Sequence, residues 1–556
     1  MSAFQLASDE LFYFPEPADP ASTEWPGTPL GLSNTITRTK GRTARHNKCV
    51  DSTPGLLEKL LATVYRHLER RVGQEPIHTH DVVIHGVRVR ATTNSPHLYD
   101  FWLDNWHSVQ EWKEYGGRVS KDPQVKVYAL VGVPNEPEAA YYSRQANTVI
   151  FFNTSYYGQL KSWVLGAVGR WLASEYGIHS IHGACVEMNG RGVLYIAPTG
   201  TGKSTSSYGL MDYPNTRFHS DDWVYLRYAY RTRSGEPVVV LEAEDSADER
   251  ARGYQVHRWI ERHAGAPHAR LRVMSLGQDE FSLSLGELDL GHPPEAYAYT
   301  SEKFFYLRTN LVENFPPAIC ELASAKHENV PDVTAEFIAR HAHVLDAMGP
   351  TLAHSDCPAF QGESESEIRR RAARLIAFDN ARAMLDMSRV LPLARRFGNP
   401  LEPLRLVAVI LLKRNPADPS VLNHVLLEPF MERLLIGETP EGKRETAYNA
   451  YRVVDDRAER QYVEMLERLA GPGRPLDALF DEARDAPESL REEFELFHVL
   501  YNAARTYDLN TTLERDSSVP DKQEAVRRTL AIIARVIKEE PPDIQLTLES
   551  YRDYIR

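Results

Sequence analysis

The sequence predicts a mixed α/β protein with a helix-rich C-terminal part. Apolar residues alternate with polar ones in residues 80–93, which is typical of paired strands. The apolar spacing of residues 157–176 is instead typical of an amphipathic helix, and residues 192–197 form a short apolar run that indicates a buried strand. From about residue 335 the spacing is mostly helical, with one strand-like run at 404–414.

The elements follow one another from the N-terminus. Residues 1–55 are rich in Pro, Ser, Thr and Gly and predict an extended arm. Residues 55–71 have helical spacing, and residues 125–133 and 147–154 are further strand candidates. Asn189 and Gly190 predict a tight turn between two strands, the second of which is the run 192–197. The charged tail from residue 451 predicts helices, with a polar insert near 509–521.

Composition restricts the classes of protein. The 556 residues are 42% hydrophobic and 25% charged, which allows a large core. Acidic residues number 77 against 64 Lys and Arg, a net charge of −13 that argues against a nucleic-acid partner. No secretory signal or membrane-length apolar run occurs, so we expect a cytoplasmic protein with no membrane partner. The cysteines lack the paired spacing of zinc cages, and their positions are Cys49, Cys185, Cys320 and Cys357.

Residues 197–205, APTGTGKST, carry the strongest chemical signal. They match the phosphate-loop pattern GxxxxGK[ST], except that Ala197 stands at the first glycine. Lys203 is expected to reach the β- and γ-phosphates of ATP, and Ser204 to hold Mg²⁺. Small residues let backbone N–H groups approach phosphate oxygens, as does a following helix N-terminus. The predicted ATP-binding residues are Thr199, Gly200, Thr201, Gly202, Lys203, Ser204 and Thr205.

Three further residues are expected beside this loop. Asp221 and Asp222 lie at the start of an apolar run one crossover after the loop, where paired carboxylates suit metal binding and hydroxyl activation. His182 precedes the predicted hairpin, which would return it to the loop as a metal ligand or a base. A structural histidine and a solvated Asp-Asp turn are the alternatives.

The order of His182, the phosphate loop and the Asp221–Asp222 pair resembles the phosphoenolpyruvate carboxykinase / HPr kinase superfamily. The resemblance to HPr kinase covers only residues 182–222. The resemblance to ATP-dependent phosphoenolpyruvate carboxykinase extends over separated patches of most of the chain. It implies a two-lobed phosphate-loop fold, ATP with Mg²⁺, and a second metal site for Mn²⁺.

The patches imply roles for residues outside the loop. Residues 40–50, KGRTARHNKCV, are similar to a family segment that places Arg42 at the substrate-binding arginine. Residues 153–162, NTSYYGQLKS, place Tyr156 at the substrate-site tyrosine and Lys161 at the first of two active-site lysines. Residues 306–330 place Arg308 at a phosphate-contacting lysine, and residues 409–439 are similar to a later family segment.

The sequence also departs from the family. Ser162 stands where the family has its second lysine, a ligand of the catalytic Mn²⁺, and the arginine that precedes the family's Tyr-Pro dipeptide is missing. Arg308 replaces a lysine, which alters hydrogen-bond geometry. The ATP half of the site is therefore expected to be kept and the oxaloacetate half altered.

Together these observations predict three regions: an acceptor-side α/β domain at 1–165, a phosphate-loop nucleotide- and metal-binding domain at 166–450, and a helical segment at 451–556. The expected activity is transfer of the γ-phosphoryl of Mg-ATP to a hydroxyl or enolate of a small carboxylate, or to a serine. The predicted catalytic residues are Lys203, His182, Asp221, Lys161 and Arg308; the substrate-binding residues are Arg42 and Tyr156; the metal ligands are Ser204, Asp222 and His182. An authentic phosphoenolpyruvate carboxykinase and a non-catalytic ATP-binding regulator remain the alternatives.

Overall fold

Three β-sheets organise the part of the chain that the structure, a computed structural model, describes. The described residues are 35–37, 46–154, 157–197, 201–245, 249–308, 326–327, 333–343, 345–346, 352, 360–377, 382–435 and 487–556. They form the mixed α/β arrangement that the sequence predicts.

The first strands, in chain order, are β1 (Thr35–Thr37), β2 (His46–Cys49), β3 (His78–Ile84), β4 (Val87–Thr93), β5 (His107–Ser108), β6 (Val125–Leu130), β7 (Ala139–Ser143), β8 (Thr148–Phe152), β9 (His179–Ile181), β10 (Gly183–Met188), β11 (Arg191–Ile196), β12 (Thr216–Ser220) and β13 (Val224–Arg231). The later strands are β14 (Pro237–Glu244), β15 (Arg250–Arg252), β16 (Arg270–Ser275), β17 (Glu280–Ser284), β18 (Glu295–Tyr299), β19 (Phe304–Arg308), β20 (Lys326–His327), β21 (Arg382–Asp386), β22 (Leu404–Lys413), β23 (Ser420–His424), β24 (Arg505–Asn510) and β25 (Gln545–Thr547).

The α-helices are α1 (Leu56–Arg71), α2 (Pro96–Asn105), α3 (Val109–Glu114), α4 (Tyr157–Tyr176), α5 (Lys203–Gly209), α6 (Val256–Arg262), α7 (Ala335–Arg340), α8 (Glu365–Ala377), α9 (Met387–Val390), α10 (Leu427–Leu435), α11 (Glu488–Ala503), α12 (Lys522–Glu539) and α13 (Tyr551–Ile555). No described helix combines the length and the apolar composition that a bilayer crossing needs.

A seven-stranded mixed sheet in the order β2-β7-β8-β6-β4-β3-β5 lies within residues 46–152, inside the predicted first domain. Strands β3 and β4 form the antiparallel hairpin that the alternating residues 80–93 predict. Helix α1 packs its buried residues Leu60 and Val64 on one face of this sheet, beside Phe152. The predicted helices at 55–71 and 157–176 are confirmed as α1 and α4.

A fourteen-stranded sheet carries the phosphate-loop region. Strands β10 and β11 form an antiparallel hairpin around Asn189 and Gly190, whose φ values of 54° and 77° are those of the predicted tight turn. Strand β11 runs parallel to β22, the strand-like run at 404–414, which confirms that prediction. Strand β11 is buried over residues 192–196 and strand β22 over residues 408–412, where their sequences are continuously apolar.

The predicted helical segment at 451–556 is described over residues 487–556, and there it contains two strands as well as helices. Helices α11 and α12 are present, but β24 lies between them and pairs in parallel with β22 inside the large sheet. Strands β23 and β25 extend the same sheet. The sequence of β24, RTYDLN, is short and polar, and burial among neighbouring strands overrides that local signal.

Helix α4 is held at its C-terminal end by a close backbone approach. Gly253 has a φ of 56°, and a Cβ atom at this position would lie 2.1 Å from the carbonyl oxygen of Ser174 near the end of α4. Neither the backbone angle nor the space suits a side chain. The position of α4 therefore depends on this glycine.

We expect Gly253→Ala to lower the free energy of unfolding by about 2–4 kcal/mol, because it combines left-handed strain with a backbone clash. Gly265→Ala is the matched control, since Gly265 has ordinary backbone angles and open space around its Cα. Chemical denaturation of both variants measures the difference. Equal midpoints for the two variants would contradict this account.

Candidate functional site

Strand register brings His182 and the Asp221–Asp222 pair together. Strands β9 and β13 pair antiparallel with Ile181 opposite Val224, and β10 pairs with β12 with Cys185 opposite Ser220. His182 lies between β9 and β10, and the two aspartates lie between β12 and β13, so both pairings direct them to one point. The β10–β11 hairpin places Gly183 opposite Ile196, so the same point adjoins the end of the phosphate-loop strand.

The phosphate loop turns into helix α5 at Gly202. Gly202 has a φ of 102°, and its carbonyl accepts the Ser206 N–H at 2.8 Å. Lys203 and Ser204 therefore begin α5, beside the point that the strands define. Thr201 is buried, and its carbonyl accepts a hydrogen bond from Thr511 Oγ1 at 3.1 Å. The loop is thus anchored to the C-terminal part of the chain.

Lys161 of helix α4 enters the site as a buried cation. Its Nζ lies 2.8 Å from Glu302 Oε1 and 3.1 Å from Asp222 Oδ2. Burial works against the charged form, but these two carboxylates outweigh it and raise the pKa of Lys161 above its ordinary value. Lys161 is therefore an ammonium ion that is neutralised from two sides.

Asp222 is a carboxylate that contacts both Lys161 and His182. Burial disfavours its charge, but Lys161, His182 and Lys203 more than offset this and hold the pKa of Asp222 well below its ordinary value. Its φ of 75° is a left-handed conformation that side-chain-bearing residues seldom adopt, and such strain concentrates at functional sites.

His182 contacts two groups through one nitrogen atom. Its Nε2 lies 3.1 Å from Asp222 Oδ1 and 3.1 Å from Lys203 Nζ. A protonated Nε2 donates to the carboxylate, whereas an unprotonated Nε2 accepts from the ammonium. The two contacts therefore require different protonation states of Nε2 of His182. A ligand that binds Lys203 and removes it from His182 would allow Nε2 to be protonated and to donate to Asp222.

Asp221 faces the hydroxyl group of the phosphate-loop serine. Ser204 Oγ donates to Asp221 Oδ1 at 3.2 Å. Burial raises the pKa of Asp221 to about 7, and Lys203 only partly opposes this shift. A nearby dication would favour the ionised form of this carboxyl.

We name this set the phosphate-loop cluster and define it as Lys161, His182, Lys203, Ser204, Asp221 and Asp222. The structure brings all six predicted residues together. Thr201, Gly202 and Thr205 lie where the motif predicts, in the loop and the first turn of α5. Arg42, Tyr156, Thr199 and Gly200 lie outside the described residues, and of Arg308 only the backbone, at the end of β19, is described.

Ser162 does not take the place of the lysine that the resemblance leads us to expect there. Its hydroxyl group donates to the carbonyl of Gly158 in the same helix at 2.9 Å, so it is turned away from the cluster. The amine near Asp222 is instead that of Lys161. One lysine amine is thus present at the candidate metal position.

Three residues of the site escaped the sequence analysis. Glu302 pairs with Lys161, and Asn105 Nδ2 donates to the same carboxylate oxygen at 3.2 Å. Thr511 anchors the phosphate loop. Glu302 offered one signal, since it is an acidic residue three positions after the end of the apolar strand β18. Asn105 and Thr511 lie far away in sequence and carried none.

A cavity of about 680 Å³ adjoins one side of the site. Its described lining includes Glu302 and its neighbour Lys303, but no member of the phosphate-loop cluster. It therefore does not by itself locate a substrate beside the cluster.

The donors present fit two dications and a polyphosphate. Ser204 and Asp221 offer the oxygen ligands that Mg²⁺ prefers. His182 and Asp222 offer nitrogen and oxygen ligands that suit Mn²⁺ or a similar ion. Lys161 can join them only after losing its proton, which a dication bound to Asp222 would favour. Lys203 supplies a cation for phosphate oxygens.

Comparison with models of protein families finds no match for this chain, and comparison with curated proteins finds none either. The functional argument therefore rests on the residues and their geometry.

The two aspartates predict opposite pH dependences in chelator-treated protein. The raised pKa of Asp221 contributes stability that is full below its ordinary value of 3.8 and is lost as the pH rises through about 7. As the pH rises from 4 to 8, the free energy of unfolding of Asp221→Asn should therefore increase relative to that of the unmodified chain, because Asn does not titrate. Thermal unfolding across this range measures the gain.

Asp222→Asn is the matched comparison with the opposite sign. Because the pKa of Asp222 is depressed, its contribution is present above the ordinary value and is lost as the pH falls. This variant should be less stable at pH 7, with the deficit shrinking under acidic conditions. Parallel pH profiles for both variants would disprove the assigned charge states.

Proposed function

We propose that the chain is an ATP-dependent phosphotransferase with a phosphoenolpyruvate-carboxykinase-like fold. The observation that carries the proposal is the convergence of Lys203, from a phosphate-loop sequence, with His182 and Asp222 at 3.1 Å contacts. A glycine-rich turn without function would not be expected to lie beside two lysines, a histidine and two aspartates, one of which has a strained backbone conformation. Phosphoryl transfer needs this combination of cations and metal ligands.

Each residue has a role in this proposal. Lys203 leaves His182 and binds the phosphate oxygens of ATP, which neutralises their charge. Ser204 and Asp221 would hold Mg²⁺, and His182 and Asp222 would hold the second ion. Lys161 would be a further ligand of that ion once the ion has displaced its proton. Bound dications withdraw charge from the phosphoryl oxygens and orient them. The protein's own contribution is positioning and charge stabilisation.

The phosphoryl acceptor is assigned to a different set of residues from those that hold ATP. The resemblance assigns it to Arg42, Tyr156 and Arg308, two of which are cationic, so an anionic acceptor is favoured. We propose a hydroxyl or enolate of a small carboxylate, with a protein serine as the other acceptor of the same chemistry. In this proposal a carboxylate oxygen of Asp221 that does not bind Mg²⁺ would accept the hydroxyl proton, and His182 would do so only if it does not bind the second ion.

One observation favours a second candidate, an authentic ATP-dependent phosphoenolpyruvate carboxykinase. The Lys161 amine lies beside Asp222, although Ser162 occupies the second lysine position of the resemblance. In this candidate, the first lysine would supply the amine ligand of the metal site after the bound ion displaces its proton. Conversion of oxaloacetate remains compatible with the cluster.

We expect Lys203→Ala to lower ATP turnover by about 10²–10³-fold, because a preorganised cation is lost from the transferring phosphoryl group. The assay follows radiolabelled γ-phosphate in the presence of Mg²⁺, Mn²⁺ and a panel of small carboxylates and seryl peptides. Lys126→Ala is the control, since Lys126 is exposed on strand β6, outside the cluster. If the unmodified chain binds ATP but never loses its γ-phosphate, the non-catalytic regulator is correct.

A paired assay separates the two enzymatic candidates. The chain is incubated with ATP and oxaloacetate, and separately with ADP, phosphoenolpyruvate and bicarbonate. We expect no turnover in either direction, because the oxaloacetate half of the site departs from the family pattern. Turnover that Lys161→Ala abolishes would establish the carboxykinase and overturn our preferred acceptor.

A further inference from the structure

A second cluster of ligating side chains lies at a corner of the large sheet. Asp245 follows strand β14, Glu249 precedes strand β15, and His263 directly follows helix α6. His263 Nε2 lies 3.3 Å from Glu249 Oε2 and 3.5 Å from Asp245 Oδ2. One ligand atom from each residue lies within 4.8 Å of the others. None of the three belongs to the phosphate-loop cluster.

The imidazole ring is oriented with Nε2 toward the two carboxylates. Its Nδ1 lies 2.9 Å from the carbonyl oxygen of Trp259, and the ring stacks on the Trp259 indole at 4.0 Å between centroids. A carbonyl oxygen only accepts, so Nδ1 carries the proton. In the neutral ring, Nε2 then presents a lone pair to two anionic oxygens. This arrangement is repulsive unless a proton on Nε2 or a metal ion lies between them.

The carboxylates are oriented in the same way, each by its other oxygen. Asp245 Oδ1 accepts the Glu249 backbone N–H at 3.0 Å, which leaves Oδ2 turned toward His263. Glu249 Oε1 pairs with Arg262 at 3.2 Å, which leaves Oε2 turned the same way. Each of the three ligands thus has an outer partner and an inner atom, as metal ligands generally do.

The spacing agrees with tetrahedral coordination. Zn²⁺ binds imidazole nitrogen and carboxylate oxygen at about 2.0–2.2 Å, so two ligands of a tetrahedron lie about 3.3–3.6 Å apart. The two separations that involve His263 Nε2, 3.3 and 3.5 Å, fall in this range, and the oxygens of the two carboxylates lie within 4.8 Å of each other. A His ligand among two carboxylates favours Zn²⁺ and similar transition metals over Mg²⁺ or Ca²⁺.

We propose that Asp245, Glu249 and His263 form a site for a zinc-class divalent ion. The side chains of Asp245 and His263 are 17% and 15% exposed, whereas that of Glu249 is 46% exposed, so solvent reaches the site at Glu249 and a water molecule would complete the coordination. The ion ties the β14–β15 connection to the end of α6. This site is independent of the proposed phosphotransferase activity.

The test is a calorimetric titration of the chelator-treated full chain with Zn²⁺, in excess Mg²⁺. We expect His263→Ala to lose one Zn²⁺ equivalent, and Arg262→Ala to keep it with an affinity about 10-fold weaker. His268→Ala, which removes an exposed histidine nearby, should retain it. Co²⁺ in place of Zn²⁺ should give the visible absorption of a tetrahedral ion, lost in His263→Ala.

Two controls keep the test decisive. Glu249→Gln changes a half-exposed side chain and should fold, so it reports on binding if His263→Ala does not fold. His182→Ala removes any Zn²⁺ that binds the phosphate-loop cluster, and its loss should add to that of His263→Ala. Unchanged stoichiometry in both His263→Ala and Glu249→Gln would overturn the proposal and leave a protonated imidazolium paired with two carboxylates.

Discussion

The buried ammonium group of Lys161 is the constraint on which the candidate site depends. A charge at this depth is strongly destabilising unless opposite charges meet it, and Glu302 and Asp222 do so from two sides. This requirement fixes the position of helix α4 against the turn that follows strand β12. It also explains why the site is assembled from distant segments, since α4, the segment after β18 and the turn after β12 each contribute one charged group.

Charges within the phosphate-loop cluster are paired with one another, and these pairs are the ones that ATP and dications would replace. Lys203 contacts His182, and the Ser204 hydroxyl donates a hydrogen bond to Asp221. Asp222 contacts both His182 and Lys161. The protonation of Asp221 near neutral pH lowers the repulsion between the two aspartates. The side chains of such a site are already in position, and on binding they replace their contacts with one another by contacts with ligand atoms. This reduces the reorganisation that catalysis would require.

Local patterns in the sequence predict the elements well, and the site only in part. The Asn189–Gly190 turn, helix α4 and strand β11 follow from backbone preferences and apolar spacing, which act over a few residues. His182 and Asp222 were predicted to meet because one hairpin and one crossover separate them from the loop. Glu302, Asn105 and Thr511 were missed, because sheet register and helix packing bring them in from other parts of the chain. The strand β24 was missed for the same reason, since its partners supply the burial that its own sequence does not indicate.

The central claim is that His182 and Asp222 hold a metal ion next to Lys161 and beside the phosphates of ATP on Lys203. The most direct measurement is anomalous diffraction from crystals grown with Mn²⁺ and a non-hydrolysable ATP analogue. The account predicts an anomalous peak bonded to His182 Nε2 and Asp222, with the phosphate chain against Lys203 and Ser204. Nucleotide bound elsewhere, or a phosphate loop without a metal peak at these residues, would contradict it.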